Sequence, residues 1–338
     1  NNMDPITQGI FGGVFAQTLV NKKKIFYGSI VGVISGLAPD LDVLIRSETD
    51  PLLSLEYHRQ FSHSLIFIPI GALFVSLITH LIFKRKISFS QNYLCSIIGF
   101  STHGFLDACT SYGTQLFWPF SNYRVSFNNI SIIDPILTIP ILLFFLLALR
   151  YKIKIFTFAA VFWIAFYLSF GIFMRNQAFE ASKKLINQRG HSAQDQTVKP
   201  SFGNIFLWKI IYFHEGYYYI DAVNLIGNKK YCIGKKIPKF TIKKFYKGLN
   251  PISKQISDID RFSWFSQGYL GYDIKRDIIT DIRYSMLPND TLGLWGIKLN
   301  KDLNYTGHVE WITNREINRV KRQLFFKMLF ENECNTVL

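Results

Sequence analysis

Residues 64–83 read SLIFIPIGALFVSLITHLIF, twenty positions without a formal charge, closed by the basic triplet Lys84-Arg85-Lys86. A helix needs roughly 20 mostly apolar residues to cross the hydrocarbon core of a bilayer. This stretch therefore predicts a membrane span and places the chain among integral membrane proteins. Five more apolar stretches surround it in the first half, at 6–20, 25–37, 93–106, 135–149 and 153–174. Some are short, as helices inside a bundle or re-entrant segments are. Gly28, Gly32 and Gly36 recur every four residues and so share one helical face; with Gly9, Gly12 and Gly13 they predict close helix packing.

Basic clusters follow alternate segments: Lys22-Lys23-Lys24, Lys84-Arg85-Lys86, then Arg150, Lys152 and Lys154. Under the positive-inside rule these turns face the cytoplasm. Residues 38–63, residues 103–133 and everything after the sixth segment are then expected on the extracytoplasmic side. The fold expected is an α-helical integral membrane domain of about six segments over residues 1–175. A helix and linker follow at 176–201, and a smaller β-rich or α+β soluble domain occupies 202–338. Within it, residues 205–223 alternate aromatic and β-branched side chains around His214-Glu215-Gly216, which predicts a β-hairpin. Further strand-like stretches lie at 240–245, 278–286 and 293–299, and a last helix at 314–330.

The formal net charge is +15, and 26 of the 38 Lys and Arg residues follow position 174 in scattered pairs. No nucleic-acid motif accompanies them, so no nucleic-acid partner is expected; anionic lipid headgroups account for the charge. Cys95, Cys109, Cys232 and Cys334 show no CxxC spacing, which excludes a zinc ribbon or thioredoxin-like motif. Cys95 falls within a membrane segment; a disulfide among the others is open, a free buried thiol being the commoner state. The opening residues lack a basic n-region, so no cleavable signal peptide is expected.

Three stretches carry chemistry: Pro39-Asp40-Leu41-Asp42, His58-Arg59-Gln60-Phe61-Ser62-His63-Ser64 and His103-Gly104-Phe105-Leu106-Asp107. The charge topology puts all three at one membrane face. His103 and Asp107, four apart, share a helical side, as two ligands of one ion do. Asp40 and Asp42 follow a helix C-terminus, where the dipole disfavours a carboxylate by a few tenths to about 1 kcal/mol and a bound cation reverses the penalty. His58 is read into a loop and His63 at the start of the third segment, with Ser62 as its cap. Ionisable groups in or beside membrane segments are costly, so their convergence points to a site. The expected ligands are Asp40, Asp42, His58, His63, His103 and Asp107, holding one or two divalent ions, zinc before others. Asp40, His63 and Arg59 are the candidates for catalytic roles. Arg59 and Arg124 are candidates for phosphate binding, with headgroup contact as their plainer role. Asp4 is a further carboxylate for ligation or for orienting a histidine. His80 is expected to be structural, His191, His214 and His308 lack a ligand-spaced partner, and Asp134 before Pro135 reads as a helix N-cap.

These residues, with Met3-Asp4-Pro5-Ile6-Thr7 and the stretch Thr110-Ser111-Tyr112-Gly113-Thr114-Gln115-Leu116-Phe117-Trp118-Pro119-Phe120-Ser121, resemble the YdjM-type, LexA-regulated inner-membrane metal-dependent hydrolases. The resemblance spans residues 3–175 and extends more weakly to 204–219. It implies a bacterial inner-membrane protein with a metal-hydrolase site distantly similar to zinc-dependent phospholipase C. In one departure the family has His after its opening Thr, where this chain has Gln8; an amide is a poor zinc ligand. The expected function is metal-dependent hydrolysis of a phosphoester in a membrane lipid. The alternatives are hydrolysis of a non-lipid envelope substrate, or a metal-binding transporter or scaffold.

Overall fold

The computed structural model describes residues 4–246, 253–302, 305–316, 318–331 and 334; Met3 of the opening motif lies outside them. The chain divides into two compact units. One comprises Asn1–Ile45, Tyr57–Phe173 and Phe202–Asn204, the other Arg46–Glu56, Met174–Ser201 and Ile205–Leu338.

The first unit is helical, and each of the six apolar stretches forms a helix: α1 (Pro5–Leu19), α2 (Ile25–Leu37), then, after the short α3 (Leu53–Tyr57), all but its last residue in the other unit, α4 (Ile68–Phe83), α5 (Phe89–Cys109), α6 (Pro135–Tyr151) and α7 (Lys154–Gln188), whose residues from Met174 on belong to the other unit. Three stretches among the described residues are long and apolar enough to cross a membrane, namely Ile25–Leu44, Leu65–Phe83 and Lys154–Gln188. α7 runs without a break, where a span and a separate polar helix were expected, because no proline or glycine interrupts residues 172–188. The outer faces of these helices are apolar: Phe74, Ile78 and Leu81 on α4, Ile139 on α6 and Phe162 on α7 are all exposed. Exposed apolar faces of this kind mark a surface that a membrane or a partner covers.

Missing side chains set how closely the helices approach. A Cβ on Gly12 would stand 2.3 Å from the Gly32 carbonyl oxygen, and one on Gly36 2.7 Å from that of Gln8. The four-residue glycine face of α2 is thus where α1 crosses it. A Cβ on Gly99 would likewise stand 2.7 Å from the Gly32 carbonyl oxygen, which brings α5 against α2. Between apolar faces with no hydrophobic drive to associate, such backbone approach and hydrogen bonds such as Gln17 Nε2 to Ser29 Oγ (3.0 Å) hold the bundle. Asp134 caps α6, accepting from the Leu137 amide (3.3 Å) and the Tyr167 hydroxyl (2.8 Å).

The second unit holds two antiparallel sheets. The first runs β1 (Gln194–Pro200), β2 (Leu207–His214), β3 (Tyr217–Asn224) and β4 (Lys230–Cys232), with β5 (Lys236–Pro238) also paired to β3. The expected hairpin is β2 with β3, and its turn residues Glu215 (φ 46°) and Gly216 (φ 82°) are both left-handed, as a two-residue turn matched to strand twist demands. β1 occupies part of the expected linker. Residues 240–245 do not form a strand: Ile242–Phe245 is a helical turn, α8, and Phe245 packs on the Tyr272 ring at 4.3 Å instead of pairing edgewise. α9 (Lys254–Phe265) leads to the second sheet of β6 (Leu270–Asp273), β7 (Ile278–Asp281), β8 (Trp295–Lys298) and β9 (Glu310–Thr313). The last helix, α10 (Arg319–Phe326), continues as a π turn through Glu331 and starts later than expected, at Asn318, whose side chain caps it by accepting from the Lys321 amide (2.8 Å). Cys232 and Cys334 form a disulfide; Cys95 and Cys109 are buried free thiols.

Candidate metal centre

At the end of α2 the backbone tightens into a 3-10 turn, Ala38–Leu44, which carries Asp40 and Asp42. A second 3-10 turn, Phe61–His63, carries His63, and α5 carries His103 and Asp107 one turn apart. Glycine again allows the approach: a Cβ on Gly104 would stand 2.7 Å from the His63 carbonyl oxygen. Two groups of ligand atoms result, each within 4.8 Å: Asp40, His63, His103 and Asp107, and Asp40, Asp42 and His58. Asp40 belongs to both. His63, His103 and Asp107 are fully enclosed, whereas Asp40 and His58 each keep 13% exposure and form the open edge.

The hydrogen bonds fix the histidine tautomers. His103 Nδ1 lies 2.6 Å from the Gly36 carbonyl oxygen, which can only accept, so Nδ1 carries the proton and Nε2 a lone pair. His58 Nδ1 donates in the same way to Asp42 Oδ1 (2.8 Å), and its Nε2 has no hydrogen-bond partner among the described residues. His63 Nδ1 stands beside Asp42 Oδ2 (3.3 Å) and Ser62 Oγ (2.9 Å), while its Nε2 faces His103 Nε2 at 2.9 Å. Two imidazole lone pairs cannot face each other at that distance; a shared proton or a metal cation must lie between them. Asp40 Oδ1 (3.5 and 3.3 Å) and Asp107 Oδ2 (3.3 and 3.8 Å) flank the same two nitrogens. Three carboxylates, those of Asp40, Asp42 and Asp107, surround the His63 ring and favour a cation there. Two nitrogens with two carboxylates suit zinc or a similar divalent ion, and the Nδ1 donors orient the rings as outer partners of metal-binding histidines do.

Arg59 is buried, with its Nε 2.9 Å from Asp107 Oδ2 and its Nη1 3.2 Å from Thr110 Oγ1. Its backbone is left-handed (φ 64°), held by its amide donating to Asp42 Oδ2 (3.1 Å) and by the Gln115 amide donating to its carbonyl (3.0 Å). Strained backbone of this kind persists where surrounding structure over-determines it. Arg124 Nη2 donates to the Gly113 carbonyl (3.1 Å) and is also within reach of that of His58 (3.5 Å), so it ties two loops together.

Other expected residues fall elsewhere. Asp4 is taken up by capping α1 and by Thr7. Ser62 does not cap the third segment; its hydroxyl donates to Asp42 Oδ2 (2.7 Å). His80 packs edge-on against Phe89. In the second unit, His191 and His214 stack at 4.2 Å, and His308 meets Asp258 and Asp50. That last group already holds a cation, the Arg261 guanidinium. Gln8, notable in the sequence only as a departure, is fully buried and donates from Nε2 to Asp107 Oδ1 (2.7 Å). No spacing rule signals that contact, because it joins side chains 99 positions apart.

A family model described as the YdjM inner membrane protein matches residues 3–178, more than half of the chain. The uncharacterized protein YfhP of Bacillus subtilis (strain 168) is 28% identical over 102 residues, covering 30% of this chain and 31% of that relative. The chain thus matches about a third of that relative's length. No solved structure matches the chain.

Proposed function

The chain belongs to the YdjM inner membrane protein family, and from that premise we propose that Asp40, His63, His103 and Asp107 hold a divalent metal ion used to hydrolyse a phosphoester of a membrane lipid. The observation that carries the metal is the pair of facing Nε2 atoms, 2.9 Å apart, with His103 Nδ1 committed to a carbonyl oxygen. Asp42 and His58 form with Asp40 a second cluster beside the first. A divalent ion there supplies Lewis acidity toward a phosphoryl oxygen and toward an attacking water.

The chain's own residues do the rest. Asp42 spends both oxygens on orienting His58 and His63. Gln8 fixes Asp107 through Oδ1 and leaves Oδ2 to the site, in place of the histidine expected there. Arg59 Nη2, buried and without a hydrogen-bond partner among the described residues, is the donor for a phosphate oxygen. Asp40 and His58, on the open edge, receive the headgroup.

The apolar outer helices support a lipid substrate, since they keep the edge of the site within reach of the interface. The basic turns at 22–24, 84–86 and 150–154 support six spans with the site on the extracytoplasmic side. The Cys232–Cys334 disulfide supports the same side for the second unit, because such bonds persist in oxidising compartments. The test is lipid turnover by purified, metal-loaded protein against His103→Ala. Headgroup release by the wild type alone is expected. No release from any phospholipid by metal-loaded wild type refutes the lipid substrate.

A further inference from the structure

The C-terminal helix of the second unit has two apolar sides, and the fold uses one. Met328 and Leu329 are buried with Leu207, Ala222, Cys232 and Leu287, and Leu324 and Phe325 pack against that cluster. Asn224 Nδ2 clamps the helix end by donating to the carbonyls of Met328 (2.7 Å) and Leu329 (2.9 Å), and the disulfide at Cys334 pins the chain just beyond. The helix is therefore a fixed part of the unit.

Its other side is exposed. Arg319, Arg322, Gln323, Phe326 and Phe330 are all exposed, with spacings of three, four, seven and eleven from Arg319 that put them on one face. Phe326 is 49% exposed and Phe330 71%, their rings stacked at 5.9 Å. Between 319 and 331 the helix carries Arg319, Lys321, Arg322 and Lys327 against one acid, Glu331. Among the described residues neither Arg319 nor Arg322 has a carboxylate within ion-pair distance.

We infer that this face is a docking surface for anionic phospholipid headgroups, with Phe326 and Phe330 entering the acyl boundary and Arg319 and Arg322 pairing with lipid phosphates. Exposed aromatic rings beside an excess of cations on one helix are the composition of an interfacial helix. An acidic protein partner would match the cations but leave the two stacked rings without an apolar host. Each cation near an anionic surface strengthens the attachment, and salt weakens it over a Debye length. The inference is independent of the metal site.

The test uses the full chain in nanodiscs of phosphatidylcholine alone or with phosphatidylglycerol. A benzophenone cross-linker replaces Phe330 or, as a control, Glu215, whose side chain is 83% exposed at the β2–β3 turn. Lipid adducts at 330 are expected to exceed those at 215 at least fivefold in anionic discs. They should fall at least threefold in phosphatidylcholine, in high salt, or in Arg319→Gln/Arg322→Gln, which alters only exposed side chains. Equal adducts at both positions, adducts insensitive to lipid charge, or cross-links from 330 to protein instead of lipid would overturn the inference.

Discussion

Replacing Arg261 by methionine removes the hub of the second unit's charge network. Its guanidinium makes five contacts: Nε and Nη2 to Glu56 (2.6 and 3.1 Å), Nη1 and Nη2 to Asp50 (3.0 and 2.8 Å), and Nη1 to Asp258 (2.8 Å). Asp258 is fully buried, whereas Asp50 and Glu56 are 19% and 32% exposed. Removing one partner of a buried pair costs about 3–5 kcal/mol, while exposed pairs contribute about 0–1. Asp258 also accepts from the Val309 amide (3.0 Å), which keeps part of its compensation in the variant. The expected loss is therefore about 3 kcal/mol, a fall in melting temperature of roughly 6–12 °C for a domain of this size. Arg261→Lys, which keeps the charge but not the planar fork, should lose about half as much. Burial opposes the Asp50 charge, but Arg261 outweighs it and holds the carboxyl below its ordinary 3.8. That stabilisation is present above pH 3.8 and is lost as the pH falls through the lower folded value, so the gap between wild type and variant should narrow in acid. Hydrogen exchange of the full chain, read on peptides covering 46–56 and 254–265, measures the difference locally. A gap below about 0.5 kcal/mol, or one constant with pH, would refute the reasoning.

Three further perturbations test other parts of the account. Gly12→Ala puts a Cβ 2.3 Å from a backbone oxygen and should cost about 1–3 kcal/mol of thermal stability in detergent. Gly9→Ala, whose Cβ meets side-chain atoms alone, of Val33 at 3.2 Å and Leu37 at 3.4 Å, should be nearly neutral; equal losses would contradict the helix crossing. Burial pushes Lys209 down to about 7 from 10.5, so wild-type stability should fall as the pH drops from 10.5 to 7 and change little from this group below that. Lys209→Met should lack that slope in urea titrations across this range, and an identical slope would count against a buried, reluctant ammonium. Without reductant, denatured protein should take up two thiol labels, at Cys95 and Cys109, and four after reduction. Reduction, which opens a link spanning 102 positions, should cost roughly 2–5 kcal/mol in the unfolding of the second unit. Four labels at the outset would remove the disulfide.

The parts legible in the sequence are those governed by local periodicity. An apolar run forms a helix whether or not it spans, so all six stretches are helical while three have the length and composition to cross. His103 with Asp107, and the glycine face of α2, follow from helical spacing alone. The β2–β3 hairpin was legible because aromatic and β-branched runs flank Glu215-Gly216, whose glycine accepts left-handed backbone. What joins distant positions was not legible. Nothing local announces that Gly36 offers its carbonyl to His103, that Gln8 reaches Asp107, or that Ser62 serves Asp42 and not a helix end. Nor could spacing show that Arg46–Glu56, the segment between Asp42 and His58, belongs with the second unit through Arg261.

The central claim is that the facing histidines and flanking carboxylates hold a divalent ion, and elemental mass spectrometry of the full-length protein, purified without chelator, tests it most directly. One or two equivalents of divalent metal per chain are expected in the wild type, falling at least tenfold in His63→Ala and in His103→Ala with the fold retained. Metal absent from wild-type protein even after reloading with zinc, manganese or iron, or retained in full by both variants, would contradict it.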